Sequence, residues 1–197
     1  MAQPSRPLKA RDCLRKLAAA RNTNIDSDVY REMQNAQVEI KSFEASDLDD
    51  LQSLRALAFE PVFRSFRETL GVEIADIVLA SAEEEQAELL EKLCDPDSPD
   101  QVFVAEIEDE IVGFVSMSLD DKNKTGEIRL NAVHPDHAGR GVGTRLYEFV
   151  LQQMREAGME AATVGVGGDP SHAPARRAYQ KAGFGPTIPS LWMYRSL

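Results

Sequence analysis

Only two cysteines, Cys13 and Cys94, occur in 197 residues. That is too few for a disulfide framework or a multi-cysteine metal site. Long apolar runs are missing too: no window holds about 18 uncharged apolar residues, which excludes a membrane-spanning helix. No apolar leader is evident, so the expected compartment is a reducing cytoplasm. Basic charge is scarce, with a net of −11. A chain this acidic lacks the footprint for sequence-independent binding of nucleic acid or an anionic membrane. Aromatic residues are sparse at 7%, and internal repeats and low-complexity tracts are absent.

What remains is ordinary for one globular domain with an appendage: 43% hydrophobic and 28% charged residues. The charge is unevenly spread. Residues 1–22 carry Arg6, Lys9, Arg11, Arg15, Lys16 and Arg21 against Asp12 alone, a net of +5, which leaves −16 on the rest. Residues 1–36 show no strong pattern beyond two short helical pieces, near Leu14–Ala18 and over Ser27–Gln34. They read as a partly helical or disordered extension, followed by a domain over 37–197.

From Val38 the pattern sharpens. Val38–Phe43 alternates as a strand. Ser46 and Asp49 resemble a capping box before a helix bearing Leu48, Leu51, Leu54, Leu57 and Ala58. Pro61 is expected to begin a second helix through Phe63, Phe66 and Leu70, and Ser81 with Glu84 to open a third. Gln101–Ile107 and Ile111–Leu119 read as a hairpin around Glu108–Glu110. Glu127–Val133 is a strand, Gly143–Ala157 a helix, Ala161–Val166 a strand, and the stretch from Pro174 to Ala182 a helix. Ile188–Arg195 is expected to form a last strand. This order predicts a mixed α+β domain with one sheet flanked by helices.

The chemistry concentrates in Val133-His134-Pro135-Asp136-His137-Ala138-Gly139-Arg140-Gly141-Val142-Gly143-Thr144. A strand runs into a glycine-spaced loop, and a helix begins at once. The first N–H groups of a helix lack internal partners and carry the positive end of its dipole, so such a start suits a pyrophosphate. A P-loop is excluded because no Gly-Lys-Ser/Thr follows, and a dinucleotide fingerprint fails at Thr144. The alternative at this point is a plain tight turn. His134-x-x-His137 with Asp136 has metal-like spacing, but it falls in a turn with no further ligand in sight, so no metal is expected.

Ala132-Val133-His134-Pro135 followed by Gly139-Arg140-Gly141-Val142-Gly143-Thr144-Arg145-Leu146 resembles the acyl-CoA loop of the GNAT N-acetyltransferase superfamily. Ala175-Arg176-Arg177-Ala178-Tyr179-Gln180-Lys181-Ala182-Gly183-Phe184 is similar to that family's later signature, in the same order and at the usual separation. The resemblance covers about residues 38–197. It implies a central, mostly antiparallel sheet of six to seven strands, splayed into a V between Glu127–Val133 and Ala161–Val166. It also implies acetyl-CoA as acetyl donor, with the pantetheine arm pairing with backbone near Asn131, Ala132 and Val133, and the pyrophosphate on the N–H groups of Ala138, Gly139, Arg140, Gly141, Val142, Gly143 and Thr144.

By the same resemblance Tyr179 is the acid that protonates the departing thiolate, and Glu127 matches a general-base position. The alternatives are a Tyr179 that only packs on its helix and a Glu127 that only charges a strand end. Two positions depart from the pattern: Ala138 replaces a frequent Gln or Arg, and His172 replaces the usual Asn, leaving a less predictable contact with the CoA arm. Arg176 and Lys181 are candidates for CoA phosphate contacts. The expected activity is acetyl transfer to a primary amine by direct attack, with a small cationic amine favoured by the acidic body. The alternatives are a peptide or protein amine, a non-catalytic acyl-CoA-binding module, or a nucleotide-binding protein with a coincidental glycine loop. A homodimer is an assembly the resemblance allows.

Overall fold

The computed structural model describes residues 38–197. The extension expected over residues 1–36 lies outside the described residues. Five strands form one sheet in sequence order: β1 (Glu39–Ser42), β2 (Gln101–Ile107), β3 (Glu110–Asp120), β4 (Thr125–Val133) and β5 (Ala161–Val164). Neighbours from β1 to β4 are antiparallel, and β5 joins β4 in parallel. The β2–β3 turn places Glu108 and Asp109 at φ of 53° and 68°, the left-handed geometry that matches the twist of a two-residue hairpin.

Helices α1 (Leu48–Leu70), α2 (Val72–Val78) and α3 (Ala82–Cys94) separate β1 from β2; α4 (Val142–Glu156) makes the β4–β5 crossover, and α5 (Ala173–Lys181) follows β5. The sheet divides two cores. On one face Leu51 and Leu54 of α1 and Leu90 and Leu93 of α3 bury Val102, Val104, Phe114 and Ala132. On the other, Val142, Leu146, Tyr147, Val150 and Met154 of α4 cover Phe103, Ala105, Val115, Met117 and Ile128. That α4 stripe recurs at helical spacing, which is why its sequence reads unambiguously as an amphipathic helix.

Four expectations are corrected. The sheet has five strands, not six to seven, because Ile188–Arg195 forms no strand. Pro186 and Pro189 supply no backbone N–H for a ladder, and Ile188, Leu191, Trp192 and Met193 stand almost fully exposed. Likewise β5 ends at Val164 rather than Val166, just before the glycines of the next loop. Pro61 lies inside a single 23-residue helix and does not start a new one. Buried Leu51, Leu54 and Phe63 on either side hold α1 together across the missing N–H. The capping box is real but shifted: Glu44 and Asp47 bond each other's backbone around a short 3-10 turn, with Glu44 N–H donating to Asp47 Oδ2 at 2.9 Å.

Strand β4 is irregular at one place. Ile128 packs with α4, whereas Leu130 and Ala132 pack under α1 and α3. Residues two apart in a regular strand share a face, so the facing flips between Ile128 and Leu130. The register confirms it: Met117 opposes Ile128, but Val115, two residues earlier, opposes Asn131 three residues later. One extra residue is accommodated in β4 as a β-bulge. Pairing with β5 stops at Ile128–Val164, at the bulge itself.

Close packing beside the bulge is testable. A Cβ on Gly126 would lie 2.5 Å from Met154 Sδ and 2.7 Å from its Cγ, and Met154 is only 2% exposed. Gly126→Ala is expected to lower the unfolding free energy by about 1–3 kcal/mol. In a Met154→Ala background the same substitution should cost less than half as much, measured by urea denaturation of the four variants.

Candidate functional site

Beyond the bulge, among the described residues, no strand pairs with Arg129–Val133 on the β5 side. The two parallel strands therefore diverge into a cleft of about 760 Å³. It is walled by β4 from Glu127 to Val133, by Ala58, Phe59 and Val62 of α1, by Gly165 and Val166 after β5, and by Ala175, Ala178 and Tyr179 of α5. Its far end is the loop from Pro135 to the start of α4.

That loop has the geometry a phosphate seat requires. Gly139 and Gly141 sit at φ of 75° and 89°, a region L side chains enter at a cost of roughly 1–2 kcal/mol. Gly141 occupies the position before α4, and no side chain caps the helix start. The leading N–H groups of Val142, Gly143 and Thr144 have no intrahelical acceptor to reach. Gly143 is already helical, and a Cβ there would meet Val133 and Tyr147 only at ordinary contact distance. His134 steadies the turn by accepting the Asp136 N–H on Nδ1 at 3.2 Å. His134 and His137 stand edge to face, and among the described residues no three His, Cys, Asp or Glu side chains gather as a metal cluster.

Tyr179 is buried, 5% exposed, yet lines the cleft. Its ring lies 4.5 Å from that of Tyr147, and Phe184 meets it edge-on. Asn131 joins the two phenols: Tyr147 Oη donates to Asn131 Oδ1 at 2.8 Å, and Asn131 Nδ2 lies 3.0 Å from Tyr179 Oη. Burial pushes the Tyr179 phenol above its ordinary value, while the hydrogen bond from Asn131 pulls it back. A phenol in this state is protonated at neutral pH and able to donate.

Glu127 lines the cleft from the opposite face. Gly126 abuts Met154 and Ile128 packs with α4, so alternation turns Glu127 toward the α1 side. Among the described residues no cation pairs with it, whereas Arg129 is neutralised by Asp100 through contacts of 2.8 and 3.1 Å.

His172 is tied down by its neighbours. Its Nδ1 pairs with Asp169 Oδ1, its ring stacks on Phe66 of α1, and Ser65 Oγ reaches Asp169 Oδ2 at 3.4 Å. Any contact between this ring and a ligand is thereby left to Nε2. Arg176 turns away from the cleft, donating to the carbonyls of Gly167 and Asp169; Arg177 and Lys181 line the cleft in its place. Arg140 also lies outside the lining, while Ala138, Gly139, Gly141, Val142, Gly143 and Thr144 belong to it. Sequence reasoning overlooked Tyr147. Its place in the apolar stripe of α4 was legible, but not that its hydroxyl finds an amide across the core.

Residues 62–184 match the Acetyltransferase (GNAT) family. An uncharacterized N-acetyltransferase of Archaeoglobus fulgidus is 38% identical over 85 residues, which are 41% of this chain and 56% of that protein. The match thus spans little more than half of that relative. Among solved structures, an aminoglycoside acetyltransferase from an uncultured soil metagenomic sample, in complex with sisomicin, aligns at 23% identity. It covers 83% of this chain and 98% of its own with a TM-score of 0.54. A GNAT family acetyltransferase from Brucella melitensis in complex with acetyl-CoA aligns at 21% identity over 77% of this chain and 91% of its own, with a TM-score of 0.52. These likenesses establish the fold.

The Asp169 knot carries a pH signature. Burial pushes this carboxyl up, but hydrogen bonds from Ser171 and pairing with His172 outweigh it and hold the group below its ordinary range. A depressed carboxyl stabilises the fold fully above its unfolded value of about 3.9 and loses that contribution as pH falls below it. The stability gap between the parent and Asp169→Asn, followed by urea denaturation, should therefore be fully open at pH 5 and close toward pH 2.

Proposed function

Because the chain belongs to the Acetyltransferase (GNAT) family, we propose that it moves the acetyl group of acetyl-CoA to a primary amine by direct attack within a ternary complex. The observation that carries this reading is the cleft itself. An uncapped helix start with two left-handed glycines closes one end, and a buried, protonated phenol stands on its wall. Each N–H bond to a charged oxygen contributes roughly 1.5–3 kcal/mol, so a few from Gly139–Thr144 anchor the diphosphate without a lysine. Backbone groups of Asn131, Ala132 and Val133, released from β5, suit the amides of the pantetheine arm.

In this reading the amine nitrogen bonds to the thioester carbonyl carbon and the carbon–sulfur bond breaks. Tyr179 gives its proton to the sulfur. A CoA thiolate, conjugate to a thiol near 8.5 by the generic value, ends as the thiol at neutral pH, so an acid beside it that supplies the proton contributes to rate. Glu127 is the proposed base. A lysine-like ammonium near 10.4 stands about 8 kcal/mol above an ordinary carboxylate, so Glu127 works through water on the small unprotonated fraction. An α-amino acceptor, near 7.7–8, needs far less help.

A small cationic amine is the favoured acceptor. The body carries the bulk of the acidic charge, and Glu127 offers an unneutralised carboxylate on the α1 side of the cleft. Such a field raises the local concentration of cations. The sisomicin complex of the soil enzyme shows that a protein of this fold holds such a ligand. The proposed transferase unit is 37–197, with 1–36 as an extension.

Calorimetry should show binding of acetyl-CoA and CoA in preference to ATP and NAD; preference for ATP would end this reading. Gly141→Asp, which adds bulk in a left-handed position and like charge at the phosphate seat, should weaken acetyl-CoA binding at least tenfold. Tyr179→Phe should bind acetyl-CoA normally while kcat for thiol release falls roughly 10²–10⁴-fold. Unchanged turnover removes Tyr179 from the acid role.

A further inference from the structure

The geometry points to Asn131 as the positioning residue for that acid: its side-chain amide, locked by Tyr147, holds the Tyr179 oxygen and binds the phenol hydrogen only in a long bond, from which it can pass to the departing sulfur. This rests on the reading above, in which Tyr179 is the donor.

The amide orientation follows from its partners. Asn131 contacts the Arg129 carbonyl at 2.9 Å. A carbonyl oxygen only accepts, so the amide atom facing it must be the nitrogen. That uses one hydrogen of Nδ2, and the other points at Tyr179 Oη, 3.0 Å away. The opposite end, Oδ1, accepts from the Tyr147 hydroxyl at 2.8 Å and, in a longer bond of 3.2 Å, from Tyr179 Oη. Tyr147 thus spends its proton on the shorter bond, and Tyr179, which receives a hydrogen from Nδ2, has its own held more loosely. Both stacked phenols line the cleft; of the two, Tyr179 has its hydrogen in the longer bond and so the more readily given.

The β4 bulge makes this possible. Without the extra residue, Asn131 would share neither face nor neighbours with Ile128, and its side chain would meet α1 instead of the phenols. The charge balance of the transfer also fits. As the carbon–sulfur bond breaks, the Tyr179 O–H bond breaks and an S–H bond forms. The resulting phenolate accepts the Nδ2 hydrogen in a charge-assisted bond and is reprotonated from solvent, to which the amine proton is lost. The groups packed on this phenol are Tyr147 from α4, Asn131 from β4 and Phe184 beyond α5. Among them only Tyr147 titrates, and burial holds it protonated far above neutrality.

The test needs no knowledge of the natural acceptor. The chain has four tyrosines, and in protein labelled at the tyrosine ζ-carbon the NMR signal missing from Tyr179→Phe is assigned to Tyr179. In Asn131→Leu, which keeps size but removes the N–H, the midpoint of that signal is expected to move to higher pH by about half a unit or more. An unmoved or lowered midpoint overturns the inference. Kinetics with acetyl-CoA and neamine or spermidine adds a second arm. Asn131→Leu should lower kcat about ten- to hundredfold with acetyl-CoA affinity unchanged. Combined with Tyr179→Phe, it should lower kcat no further, because both act on one proton. Additive losses in the double variant would show that Asn131 merely shapes the cleft. Tyr147→Phe, which releases Oδ1 to compete for the Tyr179 hydrogen, should lower kcat severalfold; an unchanged rate sinks the locking role. If Tyr179→Phe itself retains full turnover, the acid assignment fails first, a result distinct from all of these.

Discussion

One extra residue in β4 governs the active half of the molecule. By inserting it between Ile128 and Asn131, the chain ends its parallel ladder with β5 after four pairs. A parallel strand cut short within a sheet leaves a row of main-chain donors and acceptors facing empty space, a state that folded proteins ordinarily avoid. Here the row faces a cleft. The same insertion reverses the facing of every side chain that follows, so Asn131 is delivered to the α4 side while Leu130 and Ala132 serve the α1 core. Opening the cleft and aiming the amide are one event.

The elements around that bulge support it from both faces. Ser116 Oγ, fully buried on β3, donates to the Leu130 carbonyl at 2.9 Å, satisfying one of the main-chain oxygens that the irregular pairing would strand. On the far side the Asp169 knot draws in Ser65, His172 and the Gly167–Asp169 backbone, with Arg176 closing the loop. The position after β5 where an asparagine is usual holds a histidine, and this structure employs it as a strut between α1 and α5. The arginine read as a phosphate ligand serves as another strut. In both cases the residue type suits two roles, and the surrounding carbonyls and carboxylate show the structural one.

Much of this was legible beforehand, for definite reasons. The hairpin, β4, α4 and α5 announced themselves because their periodicity, glycines and cap residues agree with one another. The glycine-spaced loop at the start of α4 was readable because positive φ favours glycine, and the structure places Gly139 and Gly141 in that region. What could not be read was anything requiring knowledge of a partner. The Ile188–Arg195 segment has strand-like composition, yet a strand exists only against a neighbour, and Pro189 within it weakens any ladder. Pro61 looked like a boundary because local rules treat proline as punctuation, but burial on both sides carried α1 through. The role of Tyr147 depends on a contact sixteen residues away in sequence, on another element.

Helix α4 touches both ends of the chemistry. Its first turn carries the free amides that suit a diphosphate, and Tyr147, five residues after the helix begins, reaches the Asn131 amide beside Tyr179. At about 1.5 Å of rise per residue these two points are only some 7 Å apart along a stiff rod. On the proposed function, an axial slide of that rod as an anion settled would carry the Tyr147 hydroxyl with it, and grip on the donor would be geared to readiness of the proton.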